Sequence, residues 1–238
     1  MTYLTLCSDT RRECRMNGTG PSAVTGQTGL LADVVAWVAN AYTELQQARD
    51  NWRWLRSTFT FNTVASTDAY AYTAVTDSRL SATISRFAKW WLTDDEGYSA
   101  VRAYLTSSGV GSEFYLTPIP WDQFRARYKF GAQQSLTGQP QHVSVDPQNR
   151  LVLGPNPSAI YTVTGEYQMS PQTLTADADV PEMPTQFHQL IVYMAMEKYG
   201  AAKSEIEVFN RGALEGGRMR NRLEMDQLPM ITMAGPLT

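Results

Sequence analysis

Residues Thr137–Tyr167 read TGQPQHVSVDPQNRLVLGPNPSAIYTVTGEY, and apolar and polar residues alternate along them in three runs. Alternation with a period of two is the pattern of a half-buried β-strand. The segments 146–149 and 155–158 separate the runs and are rich in proline and asparagine, which favours turns. We therefore predict a β-meander whose three strands lie at 141–145, 150–153 and 160–168.

The region before this stretch also shows strand-like alternation. Phe59 and Phe61 lie two residues apart, and serine and threonine are frequent from residue 57 onward, as is typical of half-exposed strands. A short helix is predicted to begin near Pro120, because proline is well tolerated at the first position of a helix. The middle of the chain is therefore expected to be rich in β-structure.

The N-terminal part of the chain shows helical periodicity instead. Apolar residues recur at alternating spacings of three and four, at Leu31, Val34, Val38, Ala41, Leu45, Ala48 and Trp52. This spacing predicts a helix over about 30–55 with one narrow apolar face, suited to packing against one or two other helices. A shorter helix is predicted over residues 3–16.

A second helical region follows the β-rich part. Pro184 can open a helix, and an apolar face is formed by Phe187, Leu190, Ile191, Met194 and Ala195. A further apolar pattern, at Ile206, Phe209 and Ala213, continues this helix or a partner helix to about Leu223. Gly216 and Gly217 interrupt the pattern and indicate a bend or a close backbone contact, since glycine is disfavoured inside helices.

These patterns predict an α+β fold. Neither pair of helices can bury its apolar face alone, so the two chain ends are expected to form one α-helical bundle with an antiparallel β-rich domain inserted between them. The predicted segments are N-terminal bundle helices (1–56), the inserted domain with a short helix (57–183), C-terminal bundle helices (184–225) and an extended tail (226–238).

Composition and charge restrict the class of protein. The chain has 238 residues, of which 43% are hydrophobic and 18% charged, and this is typical of a globular protein. It contains no run of 18 apolar residues, so we expect no contact with a membrane, and its start lacks the features of a secretory signal. The net charge of −3 argues against a sequence-reading DNA-binding protein. Cys7 and Cys14 would lie about 10 Å apart on a helix, too far for a disulfide, so free thiols are expected.

Motifs for catalysis, cofactors or metals are absent from the sequence. It has no CxxC, HxxxH, HExxH, GxGxxG or GxxxxGK[ST] pattern, so no catalytic residue, cofactor or metal ligand is predicted. His142 and His188 have no partners at triad-like spacing, and we expect them to be polar surface or rim residues. The acidic runs around Asp94–Asp95 and Asp177–Asp179 leave a glycan-active enzyme open as an alternative, although such runs favour solvated loops.

Aromatic and basic residues instead indicate protein contacts. The chain has 6 tryptophans and 12 tyrosines, and tryptophan, tyrosine and arginine are the residues that anchor protein interfaces. The predicted contacts with other subunits or with a tail protein are Trp90, Trp91, Trp121, Pro155 and Pro157. Arg218, Arg220 and Arg222 form a basic run that is either a solvated face or a patch for an acidic partner.

Several short motifs resemble those of the head-to-tail adaptor (connector) proteins of tailed bacteriophages. They are Gly138-Gln139-Pro140, the hairpin from Leu151 to Pro157, Glu166-Tyr167, and the helix start from Met183-Pro184 to His188. The family usually has leucine at the position of Met183. The resemblance covers roughly residues 30–200.

The resemblance implies a helical bundle with an inserted β-domain and a structural role without catalysis. It implies a dodecameric ring beneath the portal protein, made in the host cytoplasm and placed at the head–tail junction of the virion. The ring would extend the DNA channel, pass genomic DNA without sequence recognition and dock the next neck or tail protein. We also predict that the C-terminal segment docks on the portal through Met230, Ile231 and Met233, together with the basic run. Another neck or tail-completion ring protein remains the alternative.

Overall fold

The computed structural model of the chain describes residues 1–228 and has the predicted α+β fold. The chain forms two compact units. Unit 1 combines Met1–Leu55 with the chain from Pro171 onward, and unit 2 comprises Arg56–Ser170. The α-helices are α1 (Tyr3–Glu13), α2 (Leu30–Gln47), α3 (Trp121–Tyr128), α4 (His188–Lys203) and α5 (Ile206–Gln227). Short 3₁₀ helices lie at Arg53–Leu55, Tyr72–Ala74, Val110–Ser112, Gly131–Ser135 and Thr185–Phe187.

Unit 1 is organised around α4, which packs against α1, α2 and α5. The helices share one hydrophobic cluster, and its fully buried members include Leu6, Val34, Val38, Ala41, Leu45, Trp52, Leu190, Ile191, Ala195 and Met196. The four central positions of the predicted apolar face of α2 are thus buried as expected. Helices from the two ends of the chain therefore bury one another's apolar faces.

Helix α2 ends eight residues before the predicted boundary. Ala48 is exposed, and the polar residues that follow it compete with the helical backbone for hydrogen bonds. The turn brings Trp52 back onto the helix, where its indole N–H donates to the Leu45 carbonyl at 3.1 Å and its ring stacks on Trp54. Trp52 is therefore buried by the turn and does not continue the helical face.

The segment 171–183 belongs to unit 1, whereas the sequence placed it in the inserted domain. Gln172 and Gln46 exchange hydrogen bonds, from the Gln172 N–H to Gln46 Oε1 at 2.7 Å and from Gln46 Nε2 to the Gln172 carbonyl at 3.0 Å. Leu174 and Met183 are buried in the helical cluster. The boundary shifts because this segment buries its apolar residues against α-helices and not in a sheet.

Helix α5 runs unbroken through its glycines and lies very close to α4. A Cβ atom at Gly212 would lie 2.8 Å from the Tyr193 carbonyl oxygen, and one at Gly216 would lie 3.2 Å from Glu197 Oε1. A Cβ atom at Gly217 would have no neighbour within 4 Å. A close contact, and not a bend, thus explains the first two glycines. The predicted apolar residues of this helix, Ile206, Phe209 and Ala213, are exposed instead. Phe209 nevertheless approaches α4 through its backbone, since a Cβ atom at Gly200 would lie 2.7 Å from the Phe209 nitrogen.

Unit 2 contains the β-strands. They are β1 (Arg56–Asn62), β2 (Ala69–Tyr70), β3 (Thr76–Asp77), β4 (Ala82–Thr83), β5 (Lys89–Trp91), β6 (Arg102–Leu105), β7 (Phe114–Tyr115), β8 (Thr117–Pro118), β9 (Thr137–Gly138), β10 (His142–Val145), β11 (Leu151–Gly154), β12 (Asn156–Pro157) and β13 (Tyr161–Gln168). A seven-stranded sheet has the order β4-β3-β1-β13-β6-β7, with β5 also paired to β13. A four-stranded sheet has the order β2-β11-β10-β8, and β12 pairs with β9.

The three strands predicted between 141 and 168 are present, but the meander is wrong. β10 and β11 pair antiparallel from His142 opposite Gly154 to Val145 opposite Leu151. β13 does not pair with this hairpin. It pairs antiparallel with β1, from Arg56 opposite Gln168 to Asn62 opposite Thr162. The free edge of β11 is occupied by β2, and β12 carries the chain away, so β13 enters the other sheet. The short helix predicted near Pro120 is α3, with Pro120 at its N-cap.

Asp77 is the most completely hydrogen-bonded buried carboxylate of the seven-stranded sheet. It accepts from the Tyr167 hydroxyl at 2.6 Å, the Ser57 hydroxyl at 2.9 Å and two backbone N–H groups, of Arg79 and Leu80. Burial by itself raises the pKa of Asp77, but the hydrogen bonds from Tyr167, Leu80, Ser57 and Arg79 hold that pKa below its ordinary value. The carboxylate therefore ties β3 to β1 and β13 in its charged form.

We expect Gly212→Ala and Gly217→Ala to change stability in opposite directions. The methyl group at residue 212 meets a backbone carbonyl of α4, and such overpacking costs roughly 1–3 kcal/mol. The methyl group at residue 217 meets nothing within 4 Å and gains about 1 kcal/mol of helix propensity. Chemical unfolding of the two variants measures the difference, and equal stabilities would show that α5 does not pack on α4 through Gly212.

We expect Asp77→Asn to lower the free energy of unfolding at pH 7 by roughly 1–3 kcal/mol, because an amide cannot accept all four hydrogen bonds. The native pKa lies below the unfolded value, so the carboxylate's contribution is present above about pH 4 and is lost as pH falls through the native pKa. The stability difference between wild type and variant should therefore shrink in acid. Tyr167→Phe, which removes one donor, is the control with a smaller loss. A difference independent of pH would contradict this account.

Candidate interaction surfaces

Neither histidine stands in a catalytic arrangement. His188 is fully buried, not at the surface as the sequence suggested, and its ring nitrogens contact the Met1 amine at 2.9 Å and the Met183 carbonyl at 3.0 Å. Burial is the main cause of its lowered pKa. His142 is half-buried and contacts the Tyr128 hydroxyl and the Arg127 guanidinium. Both imidazoles are thus occupied by structural partners.

The two acidic runs lie in different units of the chain. Asp177 accepts from the Val24 N–H at 2.6 Å, and Asp179 accepts from the Thr175 and Ala176 N–H groups, so both hold turns of unit 1. These backbone hydrogen bonds lower the pKa of Asp179, whereas a glycosidase acid needs a raised pKa. Asp94 and Asp95 lie in unit 2. The carboxylates therefore give no support to a glycan-active enzyme.

Other chemical groups are equally inert within residues 1–228. Cys7 and Cys14 are free and buried, and burial raises the pKa of each thiol to about 12. The described residues contain no cluster of three potential metal ligands. None of the helices in this range combines the length and apolar character that a membrane span requires.

The predicted tryptophan and proline contacts divide into buried and accessible residues. Trp90 is buried and donates its indole N–H to the Asn149 carbonyl. Pro157 is also buried, so neither side chain is exposed to a partner protein. Trp91, Trp121 and Pro155 are half-buried. Large exposed aromatic side chains occur elsewhere in unit 2, at Tyr98, Tyr115 and Phe130. Alternation in a strand did not reveal these three, because they lie in loops or at strand ends.

The basic run on α5 is split by helical geometry. Arg218 and Arg222 are four residues apart, share one exposed face, and Arg218 pairs with Glu215 at 2.9 Å. Arg220 is half-buried, and its charge lowers the pKa of Glu197 on α4 against the larger effect of burial. Only the outer two arginines thus form a surface patch. Met230, Ile231 and Met233 lie outside the described residues.

Unit 2 presents a donor-rich groove beside α3, which we name the Arg127 groove. It has a volume of about 480 Å³ and is lined by Arg127, Tyr128, Gln133, Leu136, Gln141 and Pro155. Elsewhere on α3, the Arg125 guanidinium lies 5.7 Å from the centre of the exposed Phe130 ring. Within residues 1–228, neither Arg125 nor Arg127 is paired with a carboxylate. The sequence predicted α3 as a helix but not as a contact surface, because its two arginines are separated by a neutral residue and do not form a basic run.

Unit 2 also presents an exposed acidic hairpin, which we name the acidic loop (Thr93–Ser99). Its ends form a bridge between Thr93 and Ser99, and Asp94 Oδ1 accepts from the N–H groups of Glu96 at 3.0 Å and Tyr98 at 2.8 Å. Asp95 contacts Arg56 at 3.2 Å and remains half-exposed. The acidic loop is therefore a shaped projection with carboxylates and an aromatic side chain at its surface.

The chain matches a known protein family along almost its whole length. The family model described as SU10 adaptor protein matches residues 1–234 and so spans both units. No curated protein is significantly similar to the chain. The chain therefore belongs to the SU10 adaptor protein family, a family of bacteriophage structural adaptors.

Proposed function

We propose that this chain is a head-to-tail adaptor that forms a dodecameric ring beneath the portal protein, extends the DNA channel and docks the next neck or tail protein. The observation that carries the proposal is the family match over residues 1–234. A phage adaptor is a component of the virion and acts by binding other head and tail proteins. The motifs from Gly138 to His188 supply the head-to-tail assignment.

The surfaces of the chain support a ring. Identical subunits close into a ring through heterologous contacts, so each subunit needs two different and complementary faces. Unit 2 offers such a pair in the Arg127 groove and the acidic loop. Unit 1 offers a further surface on α5, where Ile206, Leu214 and Met225 are exposed and can serve a different partner.

The charge of the chain supports passage of DNA without capture. Affinity for duplex DNA rises with the number of phosphates that basic side chains neutralise. The net charge is −3, and five basic side chains of unit 1 pair with carboxylates, namely Arg12, Arg49, Lys198, Arg211 and Arg218. A channel built from such subunits has no net positive charge with which to arrest a sliding duplex, and sequence recognition is not required of it.

The proposal is tested by reconstitution with purified portal protein. We expect the chain alone to be a monomer and to become a ring when portal is added, because the portal aligns neighbouring copies and raises their effective concentration. Native mass spectrometry gives the copy number, and electron microscopy places the ring. Assembly with another neck component but not with portal would replace this proposal by that of a stopper or tail-completion ring.

The proposed portal contact consists of Arg218 and Arg222 on α5 together with residues 229–238. We expect Arg218→Glu/Arg222→Glu to weaken portal attachment about tenfold or more at low salt, since charge reversal turns attraction into repulsion. Lys203→Glu, an exposed reversal at the end of α4, is the control and should bind normally.

Deletion of residues 229–238 should reduce attachment in the same pull-down on portal, since this segment carries Met230, Ile231 and Met233. Burial of each such side chain contributes about 1.5–3 kcal/mol. Undiminished attachment of both the deletion and the arginine variant would place the portal contact elsewhere on the chain.

A further inference from the structure

The Arg127 groove is built to accept carboxylates. A guanidinium only donates hydrogen bonds, so in the 3.3 Å contact between Arg127 Nη1 and His142 Nε2 the imidazole nitrogen accepts. The neutral ring then carries its proton on Nδ1 and donates to the Tyr128 hydroxyl at 2.7 Å. The phenolic hydrogen of Tyr128 is left free for a further acceptor. Arg127 and Tyr128 therefore present donors to any group in the groove.

The charges around the groove also favour the binding of a carboxylate. Lys129 is already paired with Asp68, but Arg125 and Arg127 have no carboxylate partner within residues 1–228. The pKa of His142 is lowered by burial and by the neighbouring Arg127, so the ring stays neutral and does not compete with the guanidinium. Leu136 lines the groove and is 46% exposed, which adds apolar surface beside Arg127 and the Tyr128 ring. This combination of arginine and aromatic surface is typical of contact hot spots.

The acidic loop has the complementary chemistry. Its turn is fixed by the two backbone hydrogen bonds to Asp94, and Gly97 takes the positive φ of 87° that the turn requires. This order reduces the conformational entropy that a contact would cost. The carboxylate of Glu96 has no cationic partner among the described residues, and Tyr98 is 67% exposed. The loop can thus bring carboxylates and an aromatic ring into a groove at little cost.

We propose that the acidic loop of one copy docks into the Arg127 groove of a second copy, with carboxylates of Asp95 and Glu96 on the Arg127 guanidinium and the Tyr128 hydroxyl. This inference rests on the proposed ring and names the contact that closes it. The loop follows β5 of the seven-stranded sheet, and the groove lies on α3 and the four-stranded sheet. The two surfaces are different, so the contact is heterologous and repeats from copy to copy.

Charge exchange between two variants of the full chain tests the contact. The loop variant carries Asp95→Lys and Glu96→Lys, and the groove variant carries Arg127→Glu. In either variant the loop and the groove have like charges, so we expect assembly on portal to need about a tenfold or higher concentration. In an equimolar mixture each loop meets a groove of opposite charge on the other variant. We therefore expect the mixture to form rings in which the two variants alternate.

A matched control separates this contact from the effect of net charge. Asp33→Lys with Glu207→Lys makes the same change of charge as the loop variant on exposed residues of unit 1, and it should assemble like the wild type. Thermal melting followed by circular dichroism checks that each variant is folded. Rings formed by the loop and groove variants at the wild-type concentration would overturn the docking contact alone. Absence of a wild-type ring on portal would overturn the proposed function and the contact with it.

Discussion

The burial of α4 among helices from the other end of the chain is the interaction on which the rest of the structure depends. Helices α1 and α2 have narrow apolar faces with no partner nearby in sequence, and Val34 and Val38 become fully buried only in the cluster that contains Leu190 and Ile191. Each such burial contributes roughly 1.5–3 kcal/mol, so the two chain ends must meet for either to be stable. The close approach of α5 at Gly212 extends this core, and the hydrogen bonds between Gln46 and Gln172 fix the point where the chain returns.

One consequence is that residues 56–170 form a unit with a core of their own. The seven-stranded sheet is held by the full-length pairing of β1 with β13, which are the first and last strands of the unit. Asp77 reinforces this junction because its partners Ser57 and Tyr167 lie on those two strands. With both termini of the unit secured in one sheet, its loops are not needed for the core and are available for contacts. The acidic loop and the surroundings of α3 are examples.

Sequence patterns predicted the elements better than their partners. Periodicity located β10, β11, β13, α2 and α4, because local backbone geometry requires it. The sequence does not show which strand pairs with β13. The edges of β11 and β1 both offer free backbone hydrogen-bonding groups, and the choice is decided only when β2 pairs with β11. The buried position of His188 depends likewise on which face of a helix meets its neighbour. The different exposures of Arg218 and Arg220 could have been predicted from the sequence, because residues two apart on a helix point to nearly opposite sides.

The sequence also did not predict the proposed contact surfaces, because they depend on how charged residues are arranged in space. Unit 2 holds nine basic and nine acidic residues, and its neutral total hides the three carboxylates of the acidic loop and the unpaired guanidinium of Arg127 on α3. A neutral unit with separated charges attracts copies of itself in one orientation and repels them in others. At a distance of more than about 10 Å the opposite charges largely cancel and are screened by salt, so the same unit exerts little pull on a passing duplex. In the proposed ring, this distribution of charge within a neutral unit would combine strong contact between copies with weak contact with DNA.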